Sequence, residues 1–174
     1  MKSSAGFPRR IHHRLHPNLY LGGLWYITIC AYRRREIFSV IEDGAVHNLT
    51  IGRIIEEEWA RIPLCRPGVI LDESVIMPNH FHGILHLPFD RSQVRDEVRF
   101  ELRPSSLGAV IGGFKSAVTS RARDLYGPRF NVWQEGFYEH GVRDEDDLNR
   151  IREYIRNNPA NWDEDPENHG NRVT

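Results

Sequence analysis

The amino-acid sequence predicts an α+β domain, a split β-α-β sandwich in which an antiparallel sheet carries helices on one face. Three observations lead there. Segments that read as strands and helices follow in the order β-α-β-β-α-β, with one more helix at the end. Residues 69–77 and His80–Leu87 are parted only by Pro78-Asn79, which makes them an antiparallel pair. Apolar residues keep a period of two in the strand segments and near-helical spacing between them. That order is the ferredoxin-like or RRM-like arrangement, with the added C-terminal helix carrying a tyrosine.

The first strand is Leu24–Tyr32, rich in β-branched and aromatic residues. Trp25, Ile27, Ile29 and Ala31 share one face, and Tyr26, Thr28, Cys30 and Tyr32 the other. Arg33, Arg34 and Arg35 follow at once, so their guanidinium groups gather at the sheet's end. Residues 46–62 form a helix with Ile51, Ile54, Ile55, Trp59 and Ile62 inward and Glu56-Glu57-Glu58 outward. Pro63 and Pro67-Gly68 end it. After the strand pair comes a charged, weakly patterned loop over 89–103.

A long helix then runs from Ser105-Ser106 to Tyr126, opened by a serine cap and closed by Gly127-Pro128. Its stripe is Leu107, Val110, Ile111, Phe114, Val118, Ala122 and Leu125. Gly112-Gly113 in its middle costs about 1 kcal/mol per glycine relative to alanine, so a close backbone approach to the sheet or to a phosphate is expected there. Phe130–Val142 reads as a fourth strand with a glycine break. Asp144 caps the last helix, Glu145–Asn158, whose Leu148, Ile151 and Ile155 face inward; Pro159 stops it.

Strand alternation puts His80, His82, Ile84 and His86 on one side of the sheet and Phe81, Gly83, Leu85 and Leu87 on the other. Same-face neighbours lie roughly 6.5–7 Å apart at Cα, so His80 and His82 can converge on one divalent ion, while His86 lies about 13 Å beyond His82, too far to join it. The histidine face is expected to stay open. On the last helix Tyr154 and Asn158 stand at i and i+4, one turn apart on one face, beside the inward stripe.

At 174 residues the chain suits one domain. It divides into a basic arm at 1–20, a domain at 21–162 and an acidic tail at 163–174. No apolar run approaches the roughly 20 residues of a membrane span. Cys30 and Cys65 fit no metal spacing and no disulfide framework, which suits a cytoplasmic protein with free thiols. The net charge is −1, but the first 35 residues carry Lys2, Arg9, Arg10, Arg14, Arg33, Arg34 and Arg35 and no acid. That concentrated positive charge, with His12, His13 and His16 interleaved, suits phosphate contact.

Three separated segments carry a resemblance. Met77-Pro-Asn-His-Phe-His82-Gly-Ile-Leu, then Val132–His140, then Tyr154-Ile-Arg-Asn-Asn-Pro159 resemble the single-tyrosine HUH transposases, in particular the REP-associated tyrosine transposases. The likeness runs from about Tyr26 to Trp162. It implies cleavage and rejoining of single-stranded, often hairpin-bearing DNA through a 5′-phosphotyrosine link, leaving a free 3′-OH. By the same resemblance His80 and His82 bind the metal, Tyr154 is the nucleophile, and Asn158 stands where a third metal ligand is placed. The cofactor implied is Mg²⁺ or Mn²⁺, whereas two imidazoles and an amide favour Mn²⁺ or Zn²⁺ by ligand softness. The partner implied is single-stranded or hairpin DNA, with monomer and homodimer both open.

Tyr138 is the rival nucleophile, better suited to base stacking or core packing. Arg33, Arg34, Arg35, Lys115, Arg121 and Arg123 are candidate phosphate contacts. Trp133, Tyr26 and Tyr32 are candidate stacking platforms. His140 is a candidate base, alongside a metal-bound water. The alternative from another class is a nucleic-acid-binding module on the same sheet without cleavage activity. A zinc hydrolase built on His-x-His needs a further acidic or histidine ligand, which the sequence does not clearly supply.

Overall fold

The structure is a computed structural model that describes residues 22–89, 106–165 and Asn168. The expected basic arm, nearly all of the charged loop and most of the acidic tail lie outside these residues. Strand β1 (Gly23–Cys30) leads into a short 3₁₀ turn at Tyr32–Arg34 and then a two-stranded hairpin, β2 (Ser39–Glu42) and β3 (Ala45–Asn48). Helix α1 (Thr50–Ala60) and the single turn α2 (Ile62–Cys65) follow. Next come β4 (Ile70–Ile76), β5 (His80–Leu87), α3 (Leu107–Tyr126), β6 (Tyr138–Gly141) and α4 (Glu145–Asn157). Pro159–Glu164 forms a closing 3₁₀ stretch.

The main sheet runs β4-β5-β1-β6 with every neighbouring pair antiparallel. That strand order places the two longest strands, β1 and β5, at its centre. α1 and α3 cover one face, where Trp25, Ile27, Ile29, Phe81 and Leu85 meet Ile51, Ile54, Ile55, Trp59, Val110, Phe114 and Val118. Gly83 makes this packing fit: a Cβ there would stand 2.7 Å from the Trp59 ring. The expected caps form, Ser106 accepting from the Ala109 N–H and Asp144 from the Asp147 N–H.

Several expectations are corrected. The helix expected from residue 46 starts at Thr50, because Ala45–Asn48 pairs with Ser39–Glu42 across an Asp43-Gly44 turn. Both turn residues have positive φ, 51° and 73°, the geometry of a tight hairpin. The fourth strand shrinks to Tyr138–Gly141, and upstream of it only Trp133 forms a bridge, to Ala31. Leu125 is exposed rather than in the α3 stripe. A Cβ on Gly112 would meet nothing within 4 Å and one on Gly113 only Arg66 Nη2 at 3.8 Å, so the sheet does not approach the glycine pair closely.

The largest correction concerns the second sheet face. It is not open: α4 lies across it, with Leu148, Ile151 and Ile155 packed on Tyr26 and Ile84. Burying each of those three aliphatic side chains is worth about 1.5–3 kcal/mol, which makes apolar packing the main force docking α4. Two ion pairs then fix where along the sheet it sits. Arg152 grips Asp72 through Nε at 2.9 Å and Nη2 at 2.6 Å, and Arg156 bonds Glu73. Asp72 and Glu73 lie at a register break in β4, between Leu71 and Ser74, which brings both carboxylates to α4.

Candidate active site

His80 and His82 leave β5 on the face that α4 covers, and both are buried, at 0% and 3% exposure. Their rings stand 4.5 Å apart between centroids. His86, on the same face, is exposed at the far end of the strand. Each histidine of the pair is held by its Nδ1. His80 Nδ1 lies 2.8 Å from Asn79 Oδ1, an acceptor, so Nδ1 carries the proton and Nε2 keeps its lone pair. His82 Nδ1 lies 2.9 Å from Thr28 Oγ1 and 2.8 Å from the Tyr26 hydroxyl, and the Thr28 hydroxyl donates to Tyr26. His82 Nδ1 is thus engaged by two hydroxyls, and in the tautomer in which Nδ1–H donates to Thr28, Nε2 again keeps its lone pair.

Burial pushes the proton affinity of both rings down. His80 is held well below its ordinary value by desolvation, then by His82 and by the nearby charge of Arg34. His82 is lowered to about 3 by desolvation alone. Two neutral imidazoles therefore stand side by side at neutral pH, the form in which histidine binds metal.

Helix α4 supplies the other half. Tyr154 is half-buried, with its ring edge-on to His82 at 5.4 Å and to Tyr26 at 6.5 Å. Two turns on, Trp162 lies 6.0 Å from the His80 ring. Asn158, the C-cap of α4, falls between these two contacts and is buried at 3% exposure. Three buried atoms here have no hydrogen-bond partner among the described residues: His80 Nε2, His82 Nε2 and Asn158 Oδ1. Leaving one such atom unsatisfied costs roughly 1–3 kcal/mol, so each calls for a partner.

That donor set fits a divalent cation. Two imidazole nitrogens and one amide oxygen suit Mn²⁺ or Zn²⁺ better than Mg²⁺. Among the described residues no group of three His, Cys, Asp or Glu side chains could hold a metal. A divalent cation held here would take the Asn158 amide as its third protein ligand, with water or substrate oxygen completing the shell.

The remaining sequence candidates separate. Arg33 and Arg35 are exposed beside the pair's end of the sheet, and Arg34 is half-buried there. Arg33 and Arg34 both adopt left-handed backbone, φ 55° and 56°, at a cost of about 1–2 kcal/mol each for such residues. Arg123 is exposed and donates to the Phe130 carbonyl. Three others hold the fold together instead of facing a phosphate. Arg121 bridges α3 to α1 through Glu57 and Glu58. Lys115, its proton affinity lowered by burial, donates to the carbonyls of Gln134 and Gly136. Trp133 donates to the Lys115 carbonyl and packs on Phe38 and Phe114, which removes it as a stacking platform.

Tyr138 stands edge-on to Tyr26 at 6.2 Å, across the strand from Thr28, and no ring contact joins it to His82 among the described residues. Its proton affinity is raised, by burial and then by Asp147, which disfavours phenolate. His140 bonds Asp147 through Nε2 at 2.9 Å. Asn79, Thr28 and Trp162 are the residues that sequence reading did not place at the site. For Thr28 the alternation of β1 carried the signal, since it shares a face with Tyr26 and sits opposite His82 in register.

No family model matches the chain. An uncharacterised protein of Haemophilus influenzae is 36% identical over 174 aligned positions, covering 94% of this chain and 96% of that one. The solved structure of a REP-associated tyrosine transposase bound to a REP hairpin has a TM-score of 0.60 with this chain at 21% identity, covering 88% of this chain and 74% of that one. Among the described residues no helix is long and apolar enough to cross a membrane.

Proposed function

We propose that this chain, which belongs to one family with the Haemophilus influenzae protein and has the fold of the REP-associated tyrosine transposase, cleaves and rejoins single-stranded or hairpin-bearing DNA in the cytoplasm. One observation carries the reading. His80 Nε2, His82 Nε2 and Asn158 Oδ1 are buried without a hydrogen-bond partner among the described residues, and the His82 ring stands against that of Tyr154, an arrangement for which a binding module would have no use.

In this mechanism Tyr154 Oη attacks a backbone phosphorus. An O–P bond forms to the phenol, the P–O3′ bond breaks, and the phenolic proton is balanced by one taken up at the leaving 3′ oxygen. The phosphotyrosine ester conserves the energy of the bond it replaces, so attack by another 3′-OH rejoins DNA without a nucleotide cofactor. His80, His82 and Asn158 would hold a divalent ion, whose chemistry is to withdraw charge from the phosphodiester oxygens as the transition state forms. Asn79 and Thr28 orient the two imidazoles. Arg34, close enough to His80 to lower its proton affinity, adds a fixed positive charge at the same end of the site.

The test is a denaturing gel of end-labelled single strands and hairpins, from the gene's own flanks, incubated with protein and Mn²⁺ or Mg²⁺. The expected result is a covalent protein–DNA band that needs the metal and disappears in Tyr154→Phe and in His82→Ala. Tight DNA binding with no band on any substrate would instead support the binding module.

A further inference from the structure

Beside the candidate site runs a column of alternating aromatic and guanidinium groups. Tyr126 at the end of α3 stacks on Phe130, with centroids 4.8 Å apart and planes at 25°. The Arg35 guanidinium lies over the Phe130 ring at 5.2 Å and over the Tyr32 ring at 5.7 Å. Arg33 lies over Tyr32 at 5.3 Å. Five side chains from the turn after β1 and from both sides of Gly127-Pro128 thus form one continuous stack.

Its location is tied to the chemistry. Cys30 pairs with His80 in register, and the Ala31 N–H donates to the Asn79 carbonyl at 2.9 Å, so the column starts within two residues of the histidine pair's end of the sheet. The left-handed backbone at Arg33 and Arg34 turns the chain so that Arg33 and Arg35 both lie against Tyr32. Arg35 is locked by bonds to the Tyr32 and Asn131 carbonyls. Among the described residues the ion pairs of the fold engage Arg61, Arg121, Arg150, Arg152 and Arg156, and none engages Arg33, Arg35 or Arg123.

We infer that this column is a stacking platform for unpaired nucleotides of single-stranded DNA next to the reacting phosphate. Aromatic faces take bases of any sequence, and interleaved guanidinium groups take the backbone charge, the combination by which single strands are held without base readout. The interior of the stack is filled by its own members. A base therefore adds at an end, on the half-exposed Tyr126 or beside Tyr32 and Arg33. A duplex, with its bases already stacked, gains only the charge. The inference rests on the proposed function and adds where the unpaired strand lies.

The test uses the full chain in EDTA, so that DNA binds without reacting, and a short oligothymidine carrying one 2-aminopurine. Wild-type protein is expected to bind it and to quench the 2-aminopurine emission by stacking. Tyr126→Ala and Arg33→Gln, both at exposed positions and checked by thermal melting, should each weaken binding about five-fold or more. An oligonucleotide with abasic sites should lose a similar factor on wild type and little further on Tyr126→Ala. Variants that bind and quench like wild type, or that weaken duplex binding equally, would overturn the inference; so would tighter binding of the matching RNA. Covalent adduct formation, measured with metal on the same preparations, separates the two readings. Unchanged binding by the variants with the adduct intact removes the platform alone, whereas a wild type that binds no single strand removes both.

Discussion

The phenol of Tyr154 stands edge-on to the imidazole of His82, centroids 5.4 Å apart and planes at 67°, and both belong to one chain. Helix α4 is docked on its own sheet by a buried apolar stripe, so one chain brings a tyrosine to its own histidine pair.

Complementation follows from that geometry. Tyr154→Phe and His82→Ala proteins, each inactive in adduct formation, should remain inactive when mixed. Recovery of activity in the mixture would mean that α4 is exchanged between copies.

The three unpartnered donors make metal binding visible without DNA. Mn²⁺ in about hundred-fold excess over its dissociation constant should stabilise the native protein by about 2.7 kcal/mol, and EDTA should remove the gain. His80→Ala, His82→Ala and Asn158→Ala should each lose most of the shift in melting temperature. An undiminished shift in Asn158→Ala would take the amide out of the ligand set.

Stability should fall on mild acidification. Both histidines have folded-state proton affinities pushed down from 6.5, His82 to about 3, so below pH 6.5 the unfolded chain takes up protons that the folded chain refuses. Stability is fully present above about pH 6.5 and is lost as pH falls below it, for His82 down to about 3, with a slope of about 1.4 kcal/mol per pH unit for each histidine still neutral in the folded chain. Urea unfolding of the metal-free protein between pH 7.5 and 5 checks this, in a range above ordinary carboxylate titration. A flat midpoint there would show that the pair is not buried neutral.

The Asp72–Arg152 pair should set the position of α4 more than it sets stability. Its geometry is bidentate and only partly exposed, so Asp72→Asn is expected to cost about 1 kcal/mol in denaturant unfolding. Adduct formation should fall further, with the rate constant at saturating DNA reduced and apparent DNA affinity little changed. The swap Asp72→Arg with Arg152→Asp should restore part of the rate. A loss confined to DNA affinity would make Arg152 a DNA contact rather than an anchor for α4.

Much of the site was legible in the sequence because strand alternation is rigid. The period of two placed His80, His82 and Ile84 on one face with Phe81 and Leu85 on the other, and the Asp144 cap fixed the start of the tyrosine helix. Two things escaped. The β2–β3 hairpin is only four residues a side, and its Val46 fell in with the apolar rhythm of α1; Asp43-Gly44 was the local signal for it. The covering of the histidine face was hidden because the i, i+3, i+7 stripe of α4 shows that it buries a face, not which face of which sheet receives it. Lys115, Arg121 and Trp133 show the same limit, since a cation or an indole in the sequence does not say whether its partner is a phosphate or a carbonyl of its own fold.

The central claim is that Tyr154 bonds to DNA, and peptide mapping tests it most directly. Protein is incubated with a cleavable single strand and Mn²⁺, the DNA is trimmed with nuclease, and tryptic peptides are read by mass spectrometry. Cleavage after Arg152 and Arg156 isolates Glu153–Arg156, whose only hydroxyl-bearing side chain is Tyr154, while Tyr138 falls in Phe130–Arg143. A nucleotide mass on Glu153–Arg156 is the predicted result. The same mass on Phe130–Arg143, with Glu153–Arg156 unmodified, would contradict it.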